Sequence, residues 1–146
     1  MIDLFGFNPK YFEVSKSKMV SMLPRYIADH GKYDFKRDTH YNIPLDPAYV
    51  VKKCPAKKYI YDPKNPELMD CDKRVYIYRG WIAGKYLKSF GMEAILKPGH
   101  DTIAFFDIKS GKDENGKYGL LFADFQTGKM MSEHEVSKYK VEMLLA

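Results

Sequence analysis

The stretch RVYIYRGWIAGKYLKSFG, residues Arg74–Gly91, joins two parts of the chain with different sequence patterns. Its first five residues, Arg74–Tyr78, alternate aliphatic side chains with tyrosines, which predicts a short strand. Arg79-Gly80 then predicts a turn, and Trp81 opens a basic, aromatic-bearing helix that ends at Gly91. We therefore expect a strand–turn–helix unit at the centre of the fold.

The N-terminal part predicts a bent helix. Asn8-Pro9 combines a good N-cap with a proline at the first helical position. Pro24 lacks the N–H that a helix interior needs. The sequence therefore predicts one kinked helix or two short ones, ending near His30-Gly31.

Residues 32–73 contain five of the eight prolines and predict an irregular segment. We expect short extended pieces at Tyr41–Leu45, Ala48–Lys52 and Lys58–Tyr61. Asp62–Pro66 is a turn by composition. The segment has too many tyrosines for a disordered linker, and no domain boundary is visible in it.

The C-terminal part predicts a sheet and a covering helix. Strands are expected at Met92–Lys97, Thr102–Ile108 and Tyr118–Gln126, and the last two form an antiparallel hairpin. Ser132 and Glu135 form a capping-box pattern. An apolar stripe then continues the predicted helix through Val136, Tyr139, Met143 and Leu144.

These elements predict a single α+β domain over residues 1–146, in which a C-terminal helix packs on an antiparallel sheet. The chain of 146 residues is long enough to bury a core, with 45% hydrophobic and 29% charged residues. There is no membrane-spanning run and no secretory signal pattern. Cys54 and Cys71 are therefore expected to be free thiols of a cytoplasmic or virion-associated protein.

The positive charge is concentrated in the middle of the chain. Ten basic and four acidic residues lie between Lys52 and Lys88, whereas the rest of the chain has a net charge of −1. Cations interleaved with aromatic rings favour an acidic partner, either a protein surface or a nucleic acid. The candidate partner-binding residues are Lys52, Lys53, Lys57, Lys58, Arg74, Arg79, Trp81, Lys85 and Lys88.

Motifs that would indicate catalysis or metal binding are weaker signals than this distribution of charge. No two histidines or cysteines have the spacing of a structural zinc site, and no phosphate-binding glycine loop is present. We therefore predict no metal and no cofactor. His100-Asp101-Thr102 has the H-x-T form of two-histidine phosphoesterases, but His40-Tyr41-Asn42 lacks the second hydroxyl residue. We interpret Gly99-His100-Asp101 as a turn that introduces a strand.

A predicted helix followed by the strands 102–108 and 118–126 resembles the helix–strand–strand unit of PD-(D/E)xK nucleases, over about 45 residues. The resemblance implies that Asp107 and Asp124 supply carboxylates to a metal ion. The sequence departs from the family at Gln126, which replaces the lysine, and Lys129 lies beyond the next turn.

The preferred interpretation is a non-enzymatic binding or assembly protein that uses the central basic, aromatic-rich surface. A small phage-type accessory or virion component would fit it. A nucleic-acid-binding module and a divergent metal-dependent nuclease are the alternatives.

Overall fold

The computed structural model describes residues 6–36, 38–58, 63–64, 70–85, 87 and 89–146. Its strands form two sheets in a mixed α+β fold, which confirms the predicted class. The strands are β1 Tyr11–Ser15, β2 Tyr33–Asp34, β3 His40–Pro44, β4 Met92–Lys97, β5 His100–Phe106, β6 Leu120–Asp124, β7 Lys129–Met130 and β8 Lys140–Leu145. The helices are α1 Lys16–Met22, α2 Arg25–Ala28, α3 Pro47–Lys53, α4 Cys71–Gly84 and α5 Glu133–Val136, with a 3₁₀ helix at Pro55–Lys58.

The larger sheet has the strand order β2-β8-β4-β5-β6-β7. The pairs β8–β4, β4–β5, β5–β6 and β6–β7 are antiparallel, and β2 pairs with β8 in parallel. The two-stranded sheet pairs β1 with β3. Strand β4 has the predicted bounds, and the predicted hairpin is confirmed as β5–β6.

Both faces of the larger sheet are covered, and the side chains of β5 pack into a separate core on each face. Ala104 and Phe106 pack into a core with α1, α2 and β3, whereas Ile103 and Phe105 pack into a second core with α3 and α4. Successive side chains of a strand point to opposite faces. A strand buried on both faces therefore has the continuous apolar run seen in this part of the sequence.

The prediction of a strand at Arg74–Tyr78 is wrong, because these residues lie inside α4. The Asp70 side chain accepts a hydrogen bond from the Lys73 N–H and caps the helix. Val75, Tyr78 and Ile82 are then buried at helical spacing. Five alternating residues are too few to distinguish a strand from one face of a helix. The sequence signal that indicates the helix is Asp70, a residue type that favours the N-cap position. The predicted turn at Arg79-Gly80 is also wrong, since α4 continues to Gly84.

Gly91 does not end a helix but leads into β4, with a φ of +80°. A Cβ atom at this position would clash with the side chain of Ile103 and approach Phe105 to 2.9 Å. The close packing of this turn against β5 therefore requires glycine.

The other departures have local causes. The helix predicted from Asn8-Pro9 begins at Lys16 instead, after Ser15 accepts a hydrogen bond from the Lys18 N–H. Pro24 separates α1 from α2, as expected of a helix breaker. The piece expected to be extended at Ala48–Lys52 lies in α3, which has Asp46 as its cap and Pro47 in its first turn.

The capping box at Ser132 and Glu135 is present, but α5 is only one turn long. The helix predicted to continue through Met143 and Leu144 gives way to β8, which pairs with β4 and β2. Two neighbouring strands outweigh local helix propensity in this segment. The extended piece predicted at Lys58–Tyr61 falls largely outside the described residues.

Candidate functional site: a lysine surface and an acidic cleft

Among the predicted site residues that the structure describes, the exposed ones are Lys52, Lys53, Lys57 and Lys58, which we call the lysine surface. All four residues are exposed and lie in the last turn of α3 and the following 3₁₀ helix. Cations at a helix C-terminus interact favourably with the partial negative charge of its last carbonyl groups. The acidic cap of α3, Asp46, is at the opposite end and pairs with Lys109 at 3.4 Å.

Backbone contacts hold part of the lysine surface in place. The Lys57 ammonium donates a hydrogen bond of 2.9 Å to the Lys52 carbonyl oxygen. The Lys57 side chain also lies against Gly128, where an added Cβ would be 2.8 Å from its Cδ. Lys129 follows Gly128 and is exposed, so it adds a fifth cation beside the surface. Sequence spacing alone could not associate Lys129 with α3.

Arg74 is in the core and not on the surface. Its side chain is buried, and its Nη1 donates a hydrogen bond of 2.8 Å to the Ala56 carbonyl oxygen. This bond joins α4 to the 3₁₀ helix. The helix, unlike the predicted strand, directs Arg74 inward beside Val75.

Arg79 is half-buried between α4 and the sheet. Its Nε lies 3.7 Å from a Glu93 carboxylate oxygen, and its Nη2 donates a hydrogen bond of 3.2 Å to the Leu145 carbonyl oxygen. Its charge is therefore engaged within the fold.

Trp81 packs among other rings. Its centroid lies 4.7 Å from that of Phe7 and 6.1 Å from that of Tyr78. The side chain is half-buried, as is that of Lys85 at the C-terminus of α4. Lys88 lies outside the described residues. The predicted site residues thus separate into an exposed lysine group and a group that packs inside the fold.

The fold also creates a cleft that the sequence pattern did not indicate. It has a volume of about 340 Å³ and lies between the N-terminus of α4, the start of β5 and the end of β6. Polar side chains from three places line it: Cys71 and Arg74 of α4 with its cap Asp70, His100 and Asp101 of β5, and Asp124 of β6. These residues are distant in sequence, and the turn predicted at Gly99-His100-Asp101 is wrong, because His100 and Asp101 are the first two residues of β5.

Asp101 has an unusual environment in this cleft. Burial and the neighbouring Glu93 carboxylate raise the pKa of Asp101 to about 7, with Asp72 adding to the effect and Arg79 opposing it. Asp101 lies opposite Ile95 on β4, and Glu93 lies two residues along on the same face. Two carboxylates this close on one face of a sheet repel each other when both are charged, which favours a proton on Asp101.

Two further groups of the cleft, His100 and Cys71, have pKa values shifted toward their neutral forms. Burial lowers the pKa of His100, against the opposing effect of Asp124 and Glu135, and its ring stacks on Tyr139 at 5.1 Å. Burial also raises the pKa of the Cys71 thiol. Cys54 is buried, and its pKa is raised to about 11. A thiol with a raised pKa is a poor nucleophile at neutral pH.

Asp107 and Asp124, the carboxylates implied by the nuclease resemblance, lie at opposite ends of the hairpin. Phe106 pairs with Leu120, and Ala104 with Phe122, so five residues of strand separate the two acids. At about 3.3 Å per residue, this corresponds to roughly 16 Å, which is too far for one metal ion. Asp107 instead accepts hydrogen bonds from Ser110. No group of three or more His, Cys, Asp or Glu suited to a metal ion occurs within the described ranges.

The chain matches no protein-family model and no curated protein. None of the helices in the described part of the chain has the length and apolar character needed to cross a membrane.

Proposed function

We propose that this protein is a non-enzymatic binding protein that engages an acidic partner through the lysine surface. The observation that carries the proposal is the exposure of four cations on one short segment, Lys52–Lys58. Among the described residues, no carboxylate forms an ion pair with these four ammonium groups. Such a surface attracts an acidic partner and accelerates its association.

The packing of the rings favours a protein partner over a single-stranded nucleic acid. Recognition of single strands uses exposed rings on which bases stack. Trp81 and Tyr49 both contact Phe7 within the fold, and Tyr78 is buried. Tyr76 is exposed, at 66%, but lies on the outer face of α4. The ring beside the lysine surface, Tyr49, is half-buried, stacks on Phe7 and has the Lys53 ammonium 5.8 Å from its centroid, so it is already engaged within the fold.

Fluorescence anisotropy with three labelled probes tests this choice. The probes are a polyglutamate peptide, a 20-nucleotide single strand and a 20-base-pair duplex, each titrated at 50 and 200 mM salt. We expect salt-sensitive binding of polyglutamate and no preference for the single strand over the duplex. Tighter binding of the single strand than of the duplex would contradict a protein-type surface. Absence of binding to all three probes at 50 mM salt would contradict the proposal as a whole.

A further inference from the structure

A second cavity, remote from the lysine surface, lies on the opposite face of the larger sheet. Its volume is about 380 Å³. Its floor consists of Leu96, Phe122 and Val141, all of which are buried. Tyr26 from α2 and Tyr139 from the segment before β8 also line it. The interior is thus an apolar pocket between secondary-structure elements, as small-molecule sites commonly are.

An irregularity in the sheet produces the apolar floor. The register of the β4–β8 pair shifts between Ile95 and Leu96, so that Ile95 pairs with Met143 and Leu96 with Val141. Regular pairing would place Glu142 opposite Leu96. The shift instead brings the buried Val141 beside Leu96, while Glu142 stays exposed. A bulge that redirects side chains in this way is a common feature of sites at sheets.

Two lysines, Lys32 and Lys140, line the same cavity. Carboxylates on α2, β2 and β8 are paired with other cations: Asp29 with Arg25, Asp34 with Lys36, and Glu142 with Lys97. On α5, whose Val136 lines the cavity, the Glu135 carboxylate accepts hydrogen bonds from Ser132. Within the described residues no ion pair involves Lys32 or Lys140. The cavity therefore combines an apolar floor with two lysines that form no ion pair in the described part of the chain.

We propose that this cavity binds a small monocarboxylic acid with an apolar body, such as a medium-chain fatty acid. The carboxylate would pair with Lys32 and Lys140, and the hydrocarbon would cover Leu96, Phe122 and Val141. At roughly 30 Å³ for each water-sized group, 380 Å³ holds about a dozen non-hydrogen atoms. Octanoate, with about ten, is of suitable size. This site is independent of the proposed partner-binding function.

Titration of the full chain with octanoate, octanol and octylammonium, followed by calorimetry and amide NMR shifts, tests the proposal. We expect saturable octanoate binding with a dissociation constant below about 1 mM, and shifts concentrated at residues around the cavity. Octanol should bind at least about fivefold more weakly, and octylammonium more weakly still, because neither supplies a negative charge.

The variant Lys32→Gln/Lys140→Gln should weaken octanoate binding by about fivefold or more and change octanol binding less than about twofold. Lys138→Gln, an exposed lysine that does not line the cavity, is the control and should bind octanoate as the unmodified chain does. Equal affinities for octanoate and octanol, or no saturation at millimolar octanoate, would overturn the proposal. An equal loss of octanoate affinity in the double variant and in the control would also overturn it.

Discussion

The Lys57 ammonium donates a hydrogen bond of 2.9 Å to the backbone carbonyl oxygen of Lys52. This contact closes the C-terminal end of α3, where the last carbonyl groups lack helical partners. It assigns Lys57 a structural role. The Lys53 ammonium lies over the Tyr49 ring, 5.8 Å from its centroid, and the exposed side chains of Lys52, Lys53 and Lys58 are the members that we propose contact a partner. The lysine surface therefore has one fixed member and three that can be altered without loss of this bond.

Arg74 should be important for stability. Arg74→Met removes the hydrogen bond from a buried guanidinium to Ala56 and leaves that carbonyl without its donor. We expect a loss of about 2–4 kcal/mol in the free energy of unfolding, measured by urea denaturation. The exposed Lys58→Met is the control and should change it by less than about 0.5 kcal/mol. An unchanged stability of Arg74→Met would show that Arg74 does not join α4 to the 3₁₀ helix.

Two glycines allow a matched test of backbone packing. Gly91→Ala adds a Cβ at a φ of +80° against Ile103 and Phe105. We expect it to destabilise the fold by about 2–4 kcal/mol. Gly80 lies within α4 with no heavy atom within 4 Å of an added Cβ. Gly80→Ala should therefore stabilise the fold by about 0.5–1 kcal/mol through helix propensity. Equal effects of the two substitutions on thermal unfolding would contradict the contacts assigned to Gly91.

Asp101, in the cleft between α4, β5 and β6, should make the stability of the fold depend on pH. The pKa of Asp101 is about 7 in the folded protein, whereas an aspartate in an unfolded chain has a pKa near 4. The folded state therefore binds more protons between these values, and stability from protonated Asp101 is fully present below about pH 4 and lost as the pH rises through 7.

Asp101→Asn removes this titration. Relative to the unmodified protein, the free energy of unfolding of the variant should rise by on the order of 1–2 kcal/mol between pH 4 and pH 8, with solvent screening allowed for. Chemical denaturation at several pH values measures the difference. A difference that stays constant with pH would mean that Asp101 titrates normally.

The two thiols should react poorly in the native protein. Cys54 is buried with a pKa of about 11, and burial also raises the pKa of the half-buried Cys71. With a thiol-reactive chromogenic disulfide at pH 8, we expect Cys71 to be modified slowly and Cys54 only after unfolding. Rapid modification of both thiols in the native state would contradict this burial.

The sequence predicted the fold class and the elements with strong local signals. Met92–Lys97 ends at a proline-glycine turn, and Ser132 and Glu135 have an unambiguous capping pattern, so both could be recognised. Val75 and Ile77 suited a strand as well as a helix, and Met143 and Leu144 suited a helix as well as a strand. Tertiary packing decided both cases.

The site was predictable to a similar extent. Consecutive lysines at Lys52–Lys53 and Lys57–Lys58 are seldom buried, so their exposure could be expected. The burial of Arg74 could not, because it depends on the Ala56 carbonyl supplied by another element. The acidic cleft likewise combines three elements whose proximity is set only by the fold.

The most direct test of the lysine surface compares two variants of equal net charge. Lys52→Glu/Lys53→Glu/Lys58→Glu reverses the three alterable cations, and Lys18→Glu/Lys112→Glu/Lys138→Glu reverses three exposed lysines elsewhere. The measurement is the dissociation constant of each variant for labelled polyglutamate at 50 mM salt. We expect the first variant to bind at least about tenfold more weakly than the unmodified protein and the second less than about threefold. Equal losses in both variants would show that net charge alone, and not the lysine surface, determines binding.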